Sequence, residues 1–133
     1  DTTRQLADLV ASVVRTRERG KNPATRTFQA IRIVINRELE ELQIALPKAF
    51  DLLKVGGRLV VISFHSLEDR IVKQFMTALV KPAELPSDLP LREDQLPKAW
   101  AKWVVKKTMP SEQERSDNVR SRSAILRAIE KVR

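Results

Sequence analysis

The chain contains no cysteine, one histidine and three glycines among 133 residues, and only 5% of its residues are aromatic. Without cysteine there are no disulfides, no thiolate metal sites and no cysteine nucleophile. A lone histidine leaves poor means of binding zinc, so no metal is expected. No apolar run is long enough to span a bilayer, and no apolar signal-like segment opens the sequence. A cytoplasmic chain with no membrane partner is therefore expected. Scarce glycine narrows the choice further. The only pair, Gly56-Gly57, stands ahead of an apolar strand, whereas phosphate-cradling loops carry their glycines between a strand and the helix that follows. That pair reads most simply as a helix end and a turn feeding the strand.

What is present in excess is positive charge. Twenty-five Lys and Arg against 17 Asp and Glu give a net charge of +8, and the isoelectric point is near 10.3. Such a balance favours a polyanionic partner without specifying a fold or a reaction. The charge is concentrated at the ends. Residues 1–37 carry eight basic and three acidic groups, and residues 115–133 carry six and two. At 42% hydrophobic residues the chain can build the core of one domain at most.

Along the chain, Thr2 or Thr3 is placed to cap a first helix with Leu6, Leu9, Val10, Val13 and Val14 on its buried face, ended by Gly20. Asn22-Pro23 restarts the chain. Phe28, Ile31, Ile35, Leu39, Leu42 and Leu46 then form a long stripe that Pro47 kinks or divides. Residues 82–110 hold five prolines and read as an irregular connection, with a short helix over residues 94–105 carrying Trp100 and Trp103. The two tryptophans suit either anchoring to the core or base stacking. The pattern over residues 123–131 favours a helix.

The most informative stretch runs from Gly56 to Arg70. Residues 59–62 are continuously aliphatic, the pattern of a strand covered on both faces in a parallel α/β sheet. Ligands in such sheets bind beyond the carboxyl ends of the strands. His65, Ser66, Glu68, Asp69 and Arg70 fall just past that end. The helix that follows has Ile71, Val72, Phe75 and Met76 on one face. His65 is the candidate acid, base or orienting group, with Ser66, Glu68 and Asp69 at hand; equally, a histidine there can simply cap the helix. Ser66 has N-cap character, and acids at 68 and 69 suit a first turn whatever the function. Arg70 can pair with Glu68 or a phosphate. A second constellation, Arg26, Gln29 and Arg32, shares one side of a helix and suits RNA phosphate or a base edge, or a solvated face. Arg120 and Arg122 near the C-terminus repeat that choice more weakly.

Three blocks together carry a resemblance: residues 22–33 with Asn36 and Glu38-Leu39-Glu40; residues 56–73; and residues 118–127, with Asn118, Arg120, Ser121 and Arg122. At this spacing and in this order they resemble the bacterial 16S ribosomal RNA cytosine-N4 methyltransferase family. The resemblance covers essentially the whole chain but not the whole family protein. It implies an α/β fold, the C-terminal part of a class I methyltransferase Rossmann-like sheet. Residues 1–21 would be the end of an inserted helical domain and residues 22–133 the sheet-bearing part. Residues 59–64 would be the fifth strand, and residues 123–131 a last, antiparallel strand in place of the helix that the pattern favours.

The implied reaction moves a methyl group from S-adenosylmethionine to the exocyclic N4 of a cytosine in 16S ribosomal RNA of the small ribosomal subunit. That amine's lone pair is delocalised into the ring, so holding the base in line counts for more than a strong base. The family's Gly-rich cofactor turn and the acid after its second strand are not in these 133 residues, so the cofactor-binding residues are unknown. A sheet without its first strands should also be fragile or self-associate. The competing reading is a non-catalytic, basic RNA-binding or interaction module, which would hold RNA and ignore the methyl donor.

Overall fold

The computed structural model describes residues 2–14, 22–82 and 98–133. They fall into two compact units, residues 1–41 and 42–133. The expected helix end at Gly20 lies outside the described residues, as does most of the Pro-rich connection. Among the described residues, no helix is long and apolar enough to cross a membrane.

In the first unit, Thr2 caps α1 (Thr3–Val13) through a reciprocal pair of bonds with Gln5. The apolar stripe forms as spaced but is not buried. Leu9 and Val13 are exposed, and no residue of the helix is fully covered. Helical spacing specifies a face and not what covers it. Asn22 accepts a bond from the Ala24 amide, turning the chain into α2 (Thr25–Asn36). The division of the long stripe comes at Arg37, ten residues before Pro47. Arg37 adopts a left-handed conformation, φ 51°, and ends α2. Its side chain pairs with Glu40 in the first turn of α3 (Glu38–Asp51), where three acids meet the positive end of the helix. Pro47 sits inside α3 on an exposed position, so the carbonyl deprived of its partner faces water.

In the second unit, α3 from Leu42 onward and α4 (Ser66–Val80) pack on one face of a three-stranded sheet. Its strands are β1 (Arg58–Ser63), β2 (Ala101–Thr108) and β3 (Ile125–Lys131), in the order β1-β3-β2 and antiparallel throughout. Leu46, Phe50, Val72, Met76, Ala101 and Ile129 form the buried cluster. Gly56, φ 83°, and Gly57 make the turn into β1. The Gly56 amide donates to the Lys131 carbonyl at 2.8 Å, and a Cβ on Gly57 would lie 2.8 Å from the Lys54 carbonyl oxygen. The glycine pair is thus a turn, as its order in the sequence indicated.

Three expectations are corrected. β1 is not a doubly covered parallel strand in these residues. It pairs on one side only, with β3 and antiparallel, and its side chains alternate: Leu59 and Val61 face the core, while Val60 (56%) and Ile62 (53%) are exposed. An aliphatic run of this length encodes a strand but cannot report what lies on its second face. Of the helix expected over residues 94–105, residues 94–97 lie outside the described residues and residues 101–105 belong to β2 instead. Trp103-Val104-Val105 is rich in aromatic and β-branched residues, which fit a pleated surface better than a helix. Residues 125–131 form a strand and not the helix that periodicity favours, because Ala128 and Ile129 are buried on opposite faces of the sheet. The antiparallel strand that the resemblance implied is the one observed.

Candidate functional site

The end of β1 delivers the chain into α4 through two residues, Phe64 and His65. The N-cap is His65 and not Ser66, which is the first, exposed residue of the helix. The imidazole Nδ1 accepts a bond from the Glu68 amide at 3.3 Å. In return, Glu68 Oε2 accepts from the His65 amide at 3.3 Å and from the Phe64 amide at 3.0 Å. A carboxylate three residues into a helix completes a capping box, and the helix dipole favours its charge there. Because Nδ1 is an acceptor, the ring's proton sits on Nε2. Nε2 lies 3.2 Å from Glu68 Oε1, but not in line for a hydrogen bond. It is the buried side-chain nitrogen without a hydrogen-bond partner among the described residues. Buried donors are nearly always paired, so this nitrogen is an exception that capping alone does not account for.

Asp69 is engaged elsewhere. Its two oxygens accept bonds from Arg127 Nε at 2.7 Å and Nη2 at 2.9 Å, a bidentate pair joining the first turn of α4 to the middle of β3. Arg127, only 5% exposed, also donates from Nη1 to the Lys106 carbonyl of β2. The Arg127 hydrogen bonds hold the Asp69 carboxyl below its ordinary value, against the opposing effect of burial. Glu68 and Asp69 are thus both fixed by partners within the chain, one on the turn and one on the sheet. Their shared effect is to hold His65 at the carboxyl end of β1.

The other candidates are spread over the surface. Arg70 is exposed and bonded neither to Glu68 nor to another described acid. Arg26, Gln29 and Arg32 share α2, where Arg32 pairs with Glu38 at 3.1 Å. Arg120 and Arg122 are exposed on a 3-10 turn, Val119–Ser123, whose start is capped by Asn118. No hydrogen bond or ion pair joins Arg120 or Arg122 to residues 65–69. Trp103 packs against the core. The Trp100 amide and carbonyl bond to Leu79 and Val132, while its half-exposed ring carries the Arg133 guanidinium at 4.0 Å. The tryptophans therefore anchor the connection.

Sequence reasoning missed Arg127. The available signal was a charge set between the apolar residues Leu126 and Ala128-Ile129, which needs a partner wherever that segment is buried.

A family model described as the MraW methylase family matches residues 1–132. The chain is 61% identical over 130 residues to a protein of Polynucleobacter necessarius subsp. necessarius named ribosomal RNA small subunit methyltransferase H, covering 98% of the chain and 40% of that relative. Proteins of the same name from Aromatoleum aromaticum and Bordetella avium are 57% and 58% identical, with 42% and 36% of their lengths covered. The chain thus spans about two fifths of the length of these relatives.

Proposed function

The chain belongs to the MraW methylase family, and from that premise we propose that it forms the C-terminal part of an S-adenosylmethionine-dependent methyltransferase acting on the exocyclic N4 of a cytosine in 16S ribosomal RNA. The observation that carries this reading is the family match over residues 1–132. The relatives' names add small-subunit ribosomal RNA as the substrate class.

Two features of the fold support a Rossmann-like parent sheet. The resemblance has the sheet end on a last, antiparallel strand, and β3 runs antiparallel to both of its neighbours. The free edge of β1, with Val60 and Ile62 exposed beside it, is an edge and a face that further strands and helices would cover. On this reading residues 1–21 close an inserted helical domain and residues 22–133 complete the sheet.

The described residues do not by themselves fit the methyl donor. The turn from β1 into α4 contains no glycine, and its helix-end amide at Glu68 is already taken by His65. Donor binding is therefore assigned to other parts of a longer chain. The donor supplies an activated methyl and its own leaving group; what falls to these residues is the nucleotide. His65 holds a buried Nε2, without a hydrogen-bond partner, at the carboxyl end of β1, where a nucleotide would have to displace its cover to reach it. Ser66 stands beside it, Glu68 sets the ring, and Asp69 fixes the turn to the sheet. Arg26, Gln29, Arg32, Arg70, Arg120 and Arg122 contribute cationic or hydrogen-bonding contacts to RNA.

The test is a hybrid protein in which these 133 residues replace the matching segment of the Polynucleobacter necessarius relative. Incubated with donor and small subunits lacking the modification, it should yield N4-methylcytidine by nucleoside mass spectrometry. A different methylated nucleoside would refute the assigned atom. RNA binding with no donor binding in calorimetry would favour the non-catalytic module.

A further inference from the structure

Among the described residues, a group of lysines without ion-pair partners lies where α4 passes β2. Between the pairs Val105↔Ala128 and Thr108↔Leu126, two residues of β2, Lys106 and Lys107, stand against one of β3, Arg127. A bulge of this kind leaves one residue out of the ladder and re-aims its side chain. Here the bulge is fixed from the core side, because Arg127 donates to the Lys106 carbonyl while its other nitrogens hold Asp69. Lys73 is four residues beyond Asp69 on α4, hence on the same helix face. The charges of Lys107 and Lys73 both reach Asp69 and help to keep its carboxyl ionised.

The charges around this point do not balance. One carboxylate, already committed to Arg127, faces two further cations, Lys73 and Lys107, with Lys106 next to Lys107 in the bulge. Lys73, Lys106 and Lys107 are exposed, and none has an ion-pair partner among the described residues. Lys102, on the same strand, behaves differently: it pairs with Glu130 at 2.7 Å, and Arg58 joins that carboxylate at 3.1 Å. At one end of β2 the cations thus share a carboxylate within the fold, whereas Lys106 and Lys107 at the other end, on the bulge, have none. Neighbouring cations repel, and an anionic occupant removes that cost.

We propose that Lys73, Lys106 and Lys107 form a phosphate-binding surface that holds the RNA backbone alongside the β1–α4 turn. This rests on the reading of the chain as part of a ribosomal RNA methyltransferase, which supplies the polyanion. Lysines are point charges without the fork that reads a base edge, so the surface positions the strand and does not select its sequence.

The experiment uses the hybrid protein and a fluorescently labelled transcript of the 16S decoding region, titrated over a series of potassium chloride concentrations. The triple variant Lys73→Gln, Lys106→Gln, Lys107→Gln should lower the slope of log affinity against log salt by about 3, near one for each lost phosphate contact. Its KM for RNA should rise roughly tenfold or more with kcat retained, as expected for contacts that only position the strand. The control Lys48→Gln, Lys54→Gln, Lys81→Gln removes the same net charge from exposed sites elsewhere in the second unit and should leave the slope nearly unchanged. Equal falls in both variants, or no fall in the first, would overturn the surface. The single Lys107→Glu change gives the same discrimination should the triple variant fold poorly. Methyl transfer is read separately. A wild-type hybrid that binds RNA through these lysines but transfers no methyl group sinks the enzyme reading alone, and transfer with an unaltered slope in the triple variant sinks the lysine surface alone.

Discussion

Two helices of this chain begin with the same device built from different chemistry. At α1, the Thr2 hydroxyl accepts the Gln5 amide at 3.3 Å and the Gln5 carbonyl oxygen accepts the Thr2 amide at 2.9 Å, both in the open. At α4 the same positions hold His65 and Glu68, half-buried, with the carboxylate accepting two amides where Gln5 accepts one. A neutral hydroxyl and amide suffice to start a helix, so capping alone does not call for an imidazole. What the second box adds is a ring nitrogen buried without a hydrogen-bond partner, and a carboxylate that accepts two backbone amides at the turn. The α4 start is further tied to β3 through Asp69 and Arg127, and α1 has no comparable tie among the described residues.

The largest effect should come from cutting that tie. Asp69→Ala leaves the Arg127 charge buried without its partner, and breaking such a pair from one side costs about 3 kcal/mol. Chemical denaturation of the chain measures it. Replacing both residues with apolar ones, Asp69→Leu with Arg127→Met, should recover most of the loss; a double variant as unstable as the single one would mean that the pair matters for more than its charges. The same tie gives a pH dependence. Asp69 titrates below its ordinary value in the folded chain, chiefly through the Arg127 bonds. The folded state therefore binds fewer protons than the unfolded state in mild acid. The stability contributed is complete above the unfolded carboxyl value of about 3.9 and is lost as the pH falls through the lower folded value. Asp69→Asn should flatten that acid limb of the stability curve.

Next in size is Glu68→Ala. It strands the Phe64 and His65 amides at the mouth of α4 and should cost about 2 kcal/mol, whereas Glu68→Gln, which restores the composition of the α1 box, should cost less than half of that. Thr2→Ala, the matching change at α1, removes an exposed neutral cap and should cost about 0.5 kcal/mol, at the low end for N-caps. If the two boxes proved equal in cost, burial would not be what separates them.

Much of this arrangement was legible in the sequence because it is local. The strand-to-helix passage at residues 58–80, the glycine turn and the cap before α4 are each specified by residues a few positions apart. The failures were not local. The aliphatic run of β1 gave no sign that one face would be open, since a strand's second face is set by segments far away in the chain. Trp100 and Trp103 suited a helix until the cross-strand partners of β2 were known. Asp69 looked like a free acid in a turn because its partner lies 58 residues on, in a segment whose periodicity pointed to a helix. Arg37 was unremarkable as a sequence position, yet a single left-handed residue there divides two helices.

The smallest effect on stability is the most informative for function. His65→Thr converts the α4 box to the chemistry that serves at α1: a hydroxyl can accept the Glu68 amide, and Glu68 can still accept the amides of residues 64 and 65. Stability should then change by less than about 0.5 kcal/mol, since threonine is among the favoured caps. Nε2 and its proton are gone, however. If the imidazole meets the nucleotide, methyl transfer by the hybrid protein should fall by about a hundredfold, the scale of a positioned proton donor or acceptor. Unchanged transfer in a stably folded His65→Thr protein would reduce the second box to a variant of the first. The buried nitrogen would then be only a cost of using histidine as a cap, and the chemistry would have to be sought away from the carboxyl end of β1.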